Sequence, residues 1–394
     1  MDLDAFHELL TPRGQKALAE AAELVGGDPV KAVTRLRRSY DSTLTSAALT
    51  QAALRDRARA KFADDAARMY FTPNGLEQAT RPEVAAHRAR SVIERVTERA
   101  GPSQQVVDVC CGIGGDAVAL AGAGHRVDAV ELDPLTAEVA RANVAALGLD
   151  HLVTVTVGDA AAVAPEEYDV LFADPARRTA RGRTFDPRAY SPPWPVVTDL
   201  VARARRSCLK VAPGIPYDYI PEAAEAEWVS FRGEVKEAAL WTPGRVGRRA
   251  TLLPSGLSLT PSGVSAPTGP LGRYVYEPDG AAIRAHLVGE VAELVNGRLP
   301  DPMIAYIAGD DPVDTPWASR YEVHEAMPFS LKRLRAALRA HEIGNVTIKK
   351  RGSAVDIDRL RRDLRLSGDK SAVIILTRVM DQPFILICLG PLPA

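Results

Sequence analysis

Four carboxylates occupy comparable places in the middle of the chain: Asp108, Glu131, Asp159 and Asp174 each fall within or just past a short run of apolar and β-branched residues. Between the first two lies Cys110-Cys111-Gly112-Ile113-Gly114-Gly115-Asp116. Residues of these types hold and orient a ligand. Glycines accept backbone angles that other residues resist, and without a β-carbon they let a ligand reach the main chain at a helix N-terminus. A doubly wound fold places the carboxylate that grips a ribose diol about twenty residues past the first glycine, and Glu131 stands there.

A glycine loop with such an acid suits two cofactor classes, nicotinamide dinucleotides and S-adenosylmethionine. Three features favour the second. Asp108 sits just before the glycines, where a pyrophosphate wants small apolar neighbours. A sulfonium cofactor brings a cationic sulfur and an ammonium group, which a carboxylate there attracts. Asp159 ends the run 152–157 and can accept a hydrogen bond from an adenine amine. Asp174-Pro175 ends the run 168–173, at the strand edge outside which ligands bind in open α/β sheets.

Positioning these groups takes alternating strands and helices. Strands at 106–111, 126–130, 152–157, 168–173 and 207–212, with a helix at 116–123 after the glycines, predict a parallel sheet, because strand-helix-strand units close with right-handed crossovers. The segments 227–241 and 249–260, with a turn at Ser255-Gly256, suit antiparallel strands that complete it. The first hundred or so residues are rich in Ala, Leu, Arg and Glu at helical spacing and predict an all-helical region. Residues 261–270 have linker composition. Beyond them the pattern predicts helices at 281–296, 331–341 and 357–364, with strands at 345–349, 371–378 and 384–389.

With 394 residues the chain has room for two or three domains, and 46% apolar with 25% charged residues is ordinary for a soluble protein. A formal net charge of −1 gives no global nucleic-acid signature, so any such surface is local. Twelve Lys or Arg stand against five Asp or Glu between Lys332 and Lys370. Lysine and arginine contacts to phosphate dominate nucleic-acid affinity, so this stretch suits a polyanion, with Lys349, Lys350 and Arg351 as candidate contacts. The first residues lack a basic region followed by an apolar core, and no apolar run approaches membrane-spanning length. These features predict a cytoplasmic protein without a membrane partner. Four cysteines fit a reducing compartment; Cys110 and Cys111 are adjacent in a predicted buried strand, and with Cys208 and Cys388 they show no metal-ligand spacing.

Residues 106–178 resemble a class I S-adenosylmethionine-dependent methyltransferase. The Asp-x-x-Cys-Gly-x-Gly-Gly-Asp wording, with Glu131-Leu132-Asp133-Pro134, Ala140-Arg141-Ala142-Asn143 and Gly158-Asp159, resembles the trimethylguanosine-synthase-like group, which methylates the N2 amine of guanine. The stretch Arg68-Met69-Tyr70-Phe71-Thr72-Pro73-Asn74-Gly75 and Thr80-Arg81-Pro82-Glu83 is similar to that group's lead-in, which helps to close over the cofactor. The resemblance implies a Rossmann-like α/β sheet binding S-adenosylmethionine among Thr80, Asp108, Cys110, Gly112, Gly114, Asp116, Glu131, Leu132, Asp159 and Ala160. In that reading Asp108 and Asp116 fix the amino-acid end, Glu131 the ribose and Asp159 the adenine. Thr80 equally suits the N-cap of a helix beginning at Pro82. The segments 343–352 and 376–378 resemble a THUMP-like domain, which implies structured RNA, tRNA or rRNA, as the partner. The resulting division is a helical domain over 1–95, a methyltransferase domain over 96–262 and a THUMP-like α/β domain over 271–394.

Methyl transfer from a sulfonium is an in-line displacement, so the enzyme chiefly aligns the nucleophile's lone pair with the methyl group. An exocyclic amine has its lone pair conjugated into the ring, and hydrogen bonds from its N–H groups to Asp174 and the Pro175 carbonyl would free it. No His or Lys base is required by this scheme. Amino methyltransferases of this kind usually follow Asp-Pro with Pro and an aromatic that stacks on the base, whereas this chain has Ala176-Arg177-Arg178. Arg177 is a candidate for stacking or phosphate contact, Arg178 for substrate contact and Trp194 for an aromatic platform. Asp-Pro-Ala-Arg also resembles RNA uracil-C5 methyltransferases. Those need a cysteine at the end of the fifth strand, where this chain has Ala212-Pro213-Gly214 with Cys208 near the strand's start. Methylation of a small molecule or a protein, and RNA binding by a vestigial enzyme fold, are the alternative readings.

Overall fold

The computed structural model describes residues 1–96, 103–176, 178–179, 182–183, 186–244 and 247–392. They fall into two units, Met1–Glu225 with Glu237–Val246, and Ala226–Lys236 with Gly247–Ala394.

The first unit begins with α1 (Leu3–Leu10), α2 (Pro12–Ala22), α3 (Pro29–Leu36), α4 (Ser42–Phe62), α5 (Pro73–Gln78) and α6 (Pro82–Val96). The side chains of Asp2, Thr11, Asp28, Asp41 and Thr72 accept first-turn N–H groups, and proline occupies the first turn of α2, α3 and α5. These residues satisfy donors that a helix start leaves free, which fixes where each helix begins. Phe6, Leu9, Leu44, Phe62 and Phe71 share one buried cluster with Ile113 of the glycine loop and Val139. The helical region therefore packs directly on the elements that carry the carboxylates.

Those elements are β1 (Gln105–Val109), α7 (Gly115–Gly122), β2 (Arg126–Glu131), α8 (Pro134–Ala146), β3 (Val153–Val157), β4 (Val170–Ala173), the short β5 (Arg178–Thr179) and β6 (Gly182–Arg183), α9 (Trp194–Arg203) and β7 (Ser207–Val211). β8 (Glu225–Phe231) belongs, but for its first residue, to the second unit, and β9 (Glu234–Thr242) returns to the first from Glu237 on. Within the first unit the sheet order is β9-β7-β4-β1-β2-β3. Neighbours from β7 to β3 are parallel, and residues 238–242 of β9 run antiparallel to β7. The central strands β1 and β4 are buried along nearly their whole length, as strands covered on both faces must be. The chain reverses its direction of travel across the sheet between β1 and β4, and that break leaves a crevice at their C-terminal ends.

In the second unit β10 (Gly247–Leu253) and β11 (Leu257–Leu259) form a hairpin over the expected Ser255-Gly256 turn. Next come β12 (Tyr274–Pro278), α10 (Gly280–Arg284), α11 (Val288–Leu294), β13 (Ile307–Gly309), β14 (Ala318–Pro328), α12 (Leu331–Ala340), β15 (Ile343–Lys350), α13 (Ile357–Leu364), β16 (Lys370–Val379) and β17 (Gln382–Leu392). The strands form a 6-stranded sheet of order β13-β12-β14-β17-β16-β15. Leu334 and Leu338 of α12 and Leu360 and Leu364 of α13 bury against one face of it.

Several expectations are corrected. The helix expected over 281–296 is two short helices, separated where His286 takes a positive φ of 56°. The stretch 227–241 breaks at Arg232-Gly233, both at positive φ, into β8 and β9. Strands β12, β13 and β14 were not expected; β14 reads Ala-Ser-Arg-Tyr-Glu-Val-His-Glu-Ala-Met-Pro, too polar to carry a strand signature. Residues 261–270 are tied down: Ser262 N–H donates to Glu290 at 2.9 Å, and Gly269 N–H to the Leu299 carbonyl at 3.0 Å.

Candidate active site

Register brings the carboxylates together. Val109 pairs with Val130 on one side and Ala173 on the other, and Glu131 pairs with Val157. The residues that follow these strand ends therefore meet at one edge. They enclose a cleft of about 850 Å³, a volume ordinary for a cofactor site. Thr80, Cys110, Gly112, Asp116, Glu131, Leu132, Asp159, Ala160, Asp174 and Pro175 all line it. Gly114 does not; it caps α7 in a left-handed conformation. Asp108 lies beneath the floor, fully buried. Trp194 packs edge-on against Tyr190 and Tyr219, with ring centroids 5.9 and 5.6 Å away. Arg177 lies outside the described residues, and Arg178 opens β5, paired through its backbone with Arg183.

Cys110 and Cys111 do not continue the strand as expected. β1 ends at Val109, and Cys110 takes φ 65°, a left-handed value that a non-glycine residue rarely holds. The chain turns there so that Gly112, at φ 58°, presents its backbone to open space: a β-carbon on it would meet nothing within 4 Å. Glu131 sets the other wall. Its carboxylate accepts the Gly112 N–H at 2.9 Å and the Asp133 N–H at 3.0 Å, so acid and loop form one unit. The lead-in segment is clamped by the buried Asn143, whose side chain accepts Tyr70 N–H at 2.6 Å and donates to the Tyr70 and Ile113 carbonyls. Gly75 then passes so close that a β-carbon would lie 2.3 Å from the Ile113 side chain. Asp159 accepts Ala161 N–H at 2.9 Å.

A chain of polar side chains runs from behind the cleft to its wall. Glu237 receives both its hydrogen bonds from Arg88, at 2.7 and 2.8 Å. Arg88 also donates to Asp116, and Thr80 donates to the other Asp116 oxygen at 2.8 Å. Lys210 donates to Thr80 at 2.9 Å and to Asp174. Thr80 is thus a link in this chain, and the residue whose carbonyl starts α6 is Arg81. Burial disfavours the Arg88 charge, but Asp116 and Glu237 outweigh it and hold the guanidinium firmly protonated. Asp108 has no such partner: neither oxygen is hydrogen-bonded among the described residues. Burial, then the nearby Asp116 and Asp174, push its carboxyl well above the usual carboxylate range.

Comparison with known proteins decides the family. An uncharacterised S-adenosylmethionine-dependent methyltransferase of Mycobacterium tuberculosis is 36% identical over 322 residues, 78% of this chain and 84% of that protein. The chain belongs to the S-adenosylmethionine-dependent methyltransferases. A crystal structure of a methyltransferase candidate from Porphyromonas gingivalis W83 shares the fold, with TM-score 0.76 at 21% identity over 96% of this chain and 99% of that one. An uncharacterised RNA methyltransferase of Parasynechococcus marenigrum is 30% identical over 148 residues, 34% of this chain and 31% of its own. Three family descriptions match segments: RNA cap guanine-N2 methyltransferase over 103–197, THUMP domain-like over 318–389, and a domain of unknown function over 2–58. The methyltransferase uses S-adenosylmethionine as its cofactor. The orphaned Asp108 carboxyl and the open backbone at Gly112 fit a ligand that is cationic at one end and lies against the main chain.

Two residues of the methyltransferase site escaped the sequence reading. Lys210 and Arg88 are buried cations whose partners, Asp174 and Asp116, are close only in space. The apolar run around position 210 marks it as an interior one, and a lysine there is the signal that was available. Although the sequence scheme requires no lysine base, a lysine stands beside Asp174. Cys208 is buried in β7 and absent from the cleft lining. In the second unit, Lys349 donates to Glu277 at 2.5 Å, Arg351 reaches Glu277 and the Ala305 carbonyl, and Lys350 donates to the Val355 carbonyl at 3.0 Å. Among the described residues, no helix is long and apolar enough to cross a membrane.

Proposed function

We propose that the methyltransferase modifies structured RNA, tRNA or rRNA, at the exocyclic N2 amine of a guanine. The observation that carries this reading is the Asp174 carboxylate: it stands at the end of β4 on the cleft, side chain 23% exposed, next to the Pro175 carbonyl. Two acceptors side by side suit an amine with two N–H donors. Accepting both hydrogen bonds draws the nitrogen toward a pyramidal shape and turns its lone pair into the cleft. Bound in the cleft, the cofactor supplies an electrophilic methyl group. In this reading Glu131 holds its ribose and Asp159 its adenine, the buried Asp108 attracts its ammonium from beneath the floor, and Leu132, 66% exposed, offers an apolar surface to the ring. Asp116 supports from behind, since Arg88 and Thr80 occupy its oxygens. The surplus proton of the methylated amine passes to Asp174. The match of residues 103–197 to RNA cap guanine-N2 methyltransferases supports the choice of atom.

The surface that would hold RNA is better sought on α12 and α13 than on the strand lysines. Their apolar faces are buried, while Lys332, Arg333, Arg339 and Arg361 are exposed and have no ion-pair partner among the described residues. Free arginines match phosphate in geometry and charge. The test is to incubate the protein with methyl-labelled S-adenosylmethionine and total RNA from cells lacking the gene, then digest and identify the labelled nucleoside. N2-methylguanosine is the expected product; label in another nucleoside would overturn the target atom, and no label would overturn the RNA substrate.

A further inference from the structure

The Lys210–Asp174 pair is lopsided. Both border the cleft, but the lysine side chain is 5% exposed and the aspartate 23%, so the anion is the more open of the two. Lys210 contacts one Asp174 oxygen, Oδ2, and no described residue bonds the other. Removing a lone buried ammonium from water costs several kcal/mol unless it is paired and hydrogen-bonded. Here both conditions are met from fixed places. Asp174 supplies the charge. Thr80 supplies a lone pair, because its own proton is committed to Asp116 at 2.8 Å. Asp116 in turn is fixed by Arg88, and Arg88 by the two oxygens of Glu237. The sequence Glu237, Arg88, Asp116, Thr80, Lys210, Asp174 thus alternates acceptors and donors from β9 through α6 and α7 to the ends of β7 and β4. Thr80, Asp116, Lys210 and Asp174 all border the cleft, and Asp174 is the most exposed of the four.

We propose that Lys210 is a positioning residue for methyl transfer: anchored by Thr80, it pins one oxygen of Asp174 and so aims the other at the amine that receives the methyl group. This rests on the reading of Asp174 as the group that touches the substrate. A free aspartate side chain rotates among staggered positions. A carboxylate tied at one oxygen to a buried ammonium has one orientation, and its remaining oxygen points where the pair's geometry sends it. Lysine suits the task because its single charged centre can bridge Thr80 and Asp174.

The distinguishing experiment is a double-mutant cycle on kcat and KM, with total RNA from cells lacking the gene as substrate and S-adenosylhomocysteine binding by calorimetry as the control. Lys210→Met should lower kcat about 100-fold, the effect of a misaligned group, while KM for the cofactor and binding of S-adenosylhomocysteine stay within about twofold. Lys210→Arg should restore a substantial part of kcat. Residues that act as a unit are not additive, so Lys210→Met added to Asp174→Asn should cost nothing further. The double variant also removes both charges together, so it tests the idea even where Lys210→Met alone folds poorly. Independent, multiplying losses, or a Lys210→Met enzyme with normal kcat, would overturn the positioning role while leaving the RNA reading intact. A wild-type protein that transfers no methyl to RNA, or a fully active Asp174→Asn enzyme, would instead overturn the reading on which the role rests.

Discussion

The cleft of the first unit and the basic strand of the second were both picked out by residue type, and they fared differently. At the cleft, carboxylates scattered over 66 positions from Asp108 to Asp174 come to one edge, because parallel strands in register must deliver their ends there. On the strand, Lys349, Lys350 and Arg351 are consecutive and yet each is engaged inside its own unit, two of them by the single acid Glu277. Topology dictates where strand ends go. A count of charges says nothing about which of them are already paired.

The sharpest way to break the comparison is at the strand end that the proposed chemistry uses. Asp174→Ala should lower kcat about 1000-fold, within the range of losses when a group engaged in the transition state is removed, and leave calorimetric binding of S-adenosylhomocysteine intact. Glu131→Ala should act the other way round. It removes hydrogen bonds to the Gly112 and Asp133 N–H groups as well as those proposed to the ribose. Loss of bonds to a charged group corresponds to roughly 10- to 100-fold weaker cofactor binding.

The second unit can be tested with salt. Replacing Arg333, Arg339 and Arg361 by Gln should reduce the slope of log binding constant against log salt by about 0.7 to 0.9 per charge for total RNA in filter binding. Lys349→Gln should leave the slope nearly unchanged, since that ammonium is paired with Glu277. Equal effects on the two would erase the distinction between paired and unpaired cations. The smallest effect belongs to Cys208→Ser, which should leave turnover unchanged because the residue sits in the body of β7 away from the cleft. Abolished turnover with an intact fold would restore the uracil-C5 reading.

What the sequence made legible follows the same division. The glycine loop, Glu131, Asp159 and Asp174 were readable because each lies at a strand end, and a strand end is marked by the close of an apolar run. The five parallel strands were readable for that reason too. Lys210 was not, because its meaning depends on Thr80 and Asp174, which are 130 and 36 positions away. Arg88 was hidden likewise: it lies on α6 as one of several arginines at helical spacing, and only the fold shows that Asp116 and Glu237 enclose it. In the second unit β14 was missed because its side chains at Arg320, Glu322, His324 and Glu325 carry charge or a titratable ring along a strand that is only partly covered. Alternation detects a strand whose two faces differ in polarity, and β14 has little such contrast.

The unpartnered Asp108 carries a consequence for thermodynamic linkage. Burial and the neighbouring Asp116 and Asp174 favour its protonated form, with Glu131 acting in the same direction and Arg88 opposing. On the proposed reading the cofactor's ammonium lies in the cleft above it and favours the ionised form through its charge. Binding is then coupled to loss of the Asp108 proton. Affinity accordingly rises with pH until Asp108 ionises without help, and the heat of binding takes on the ionisation enthalpy of whatever buffer receives the proton.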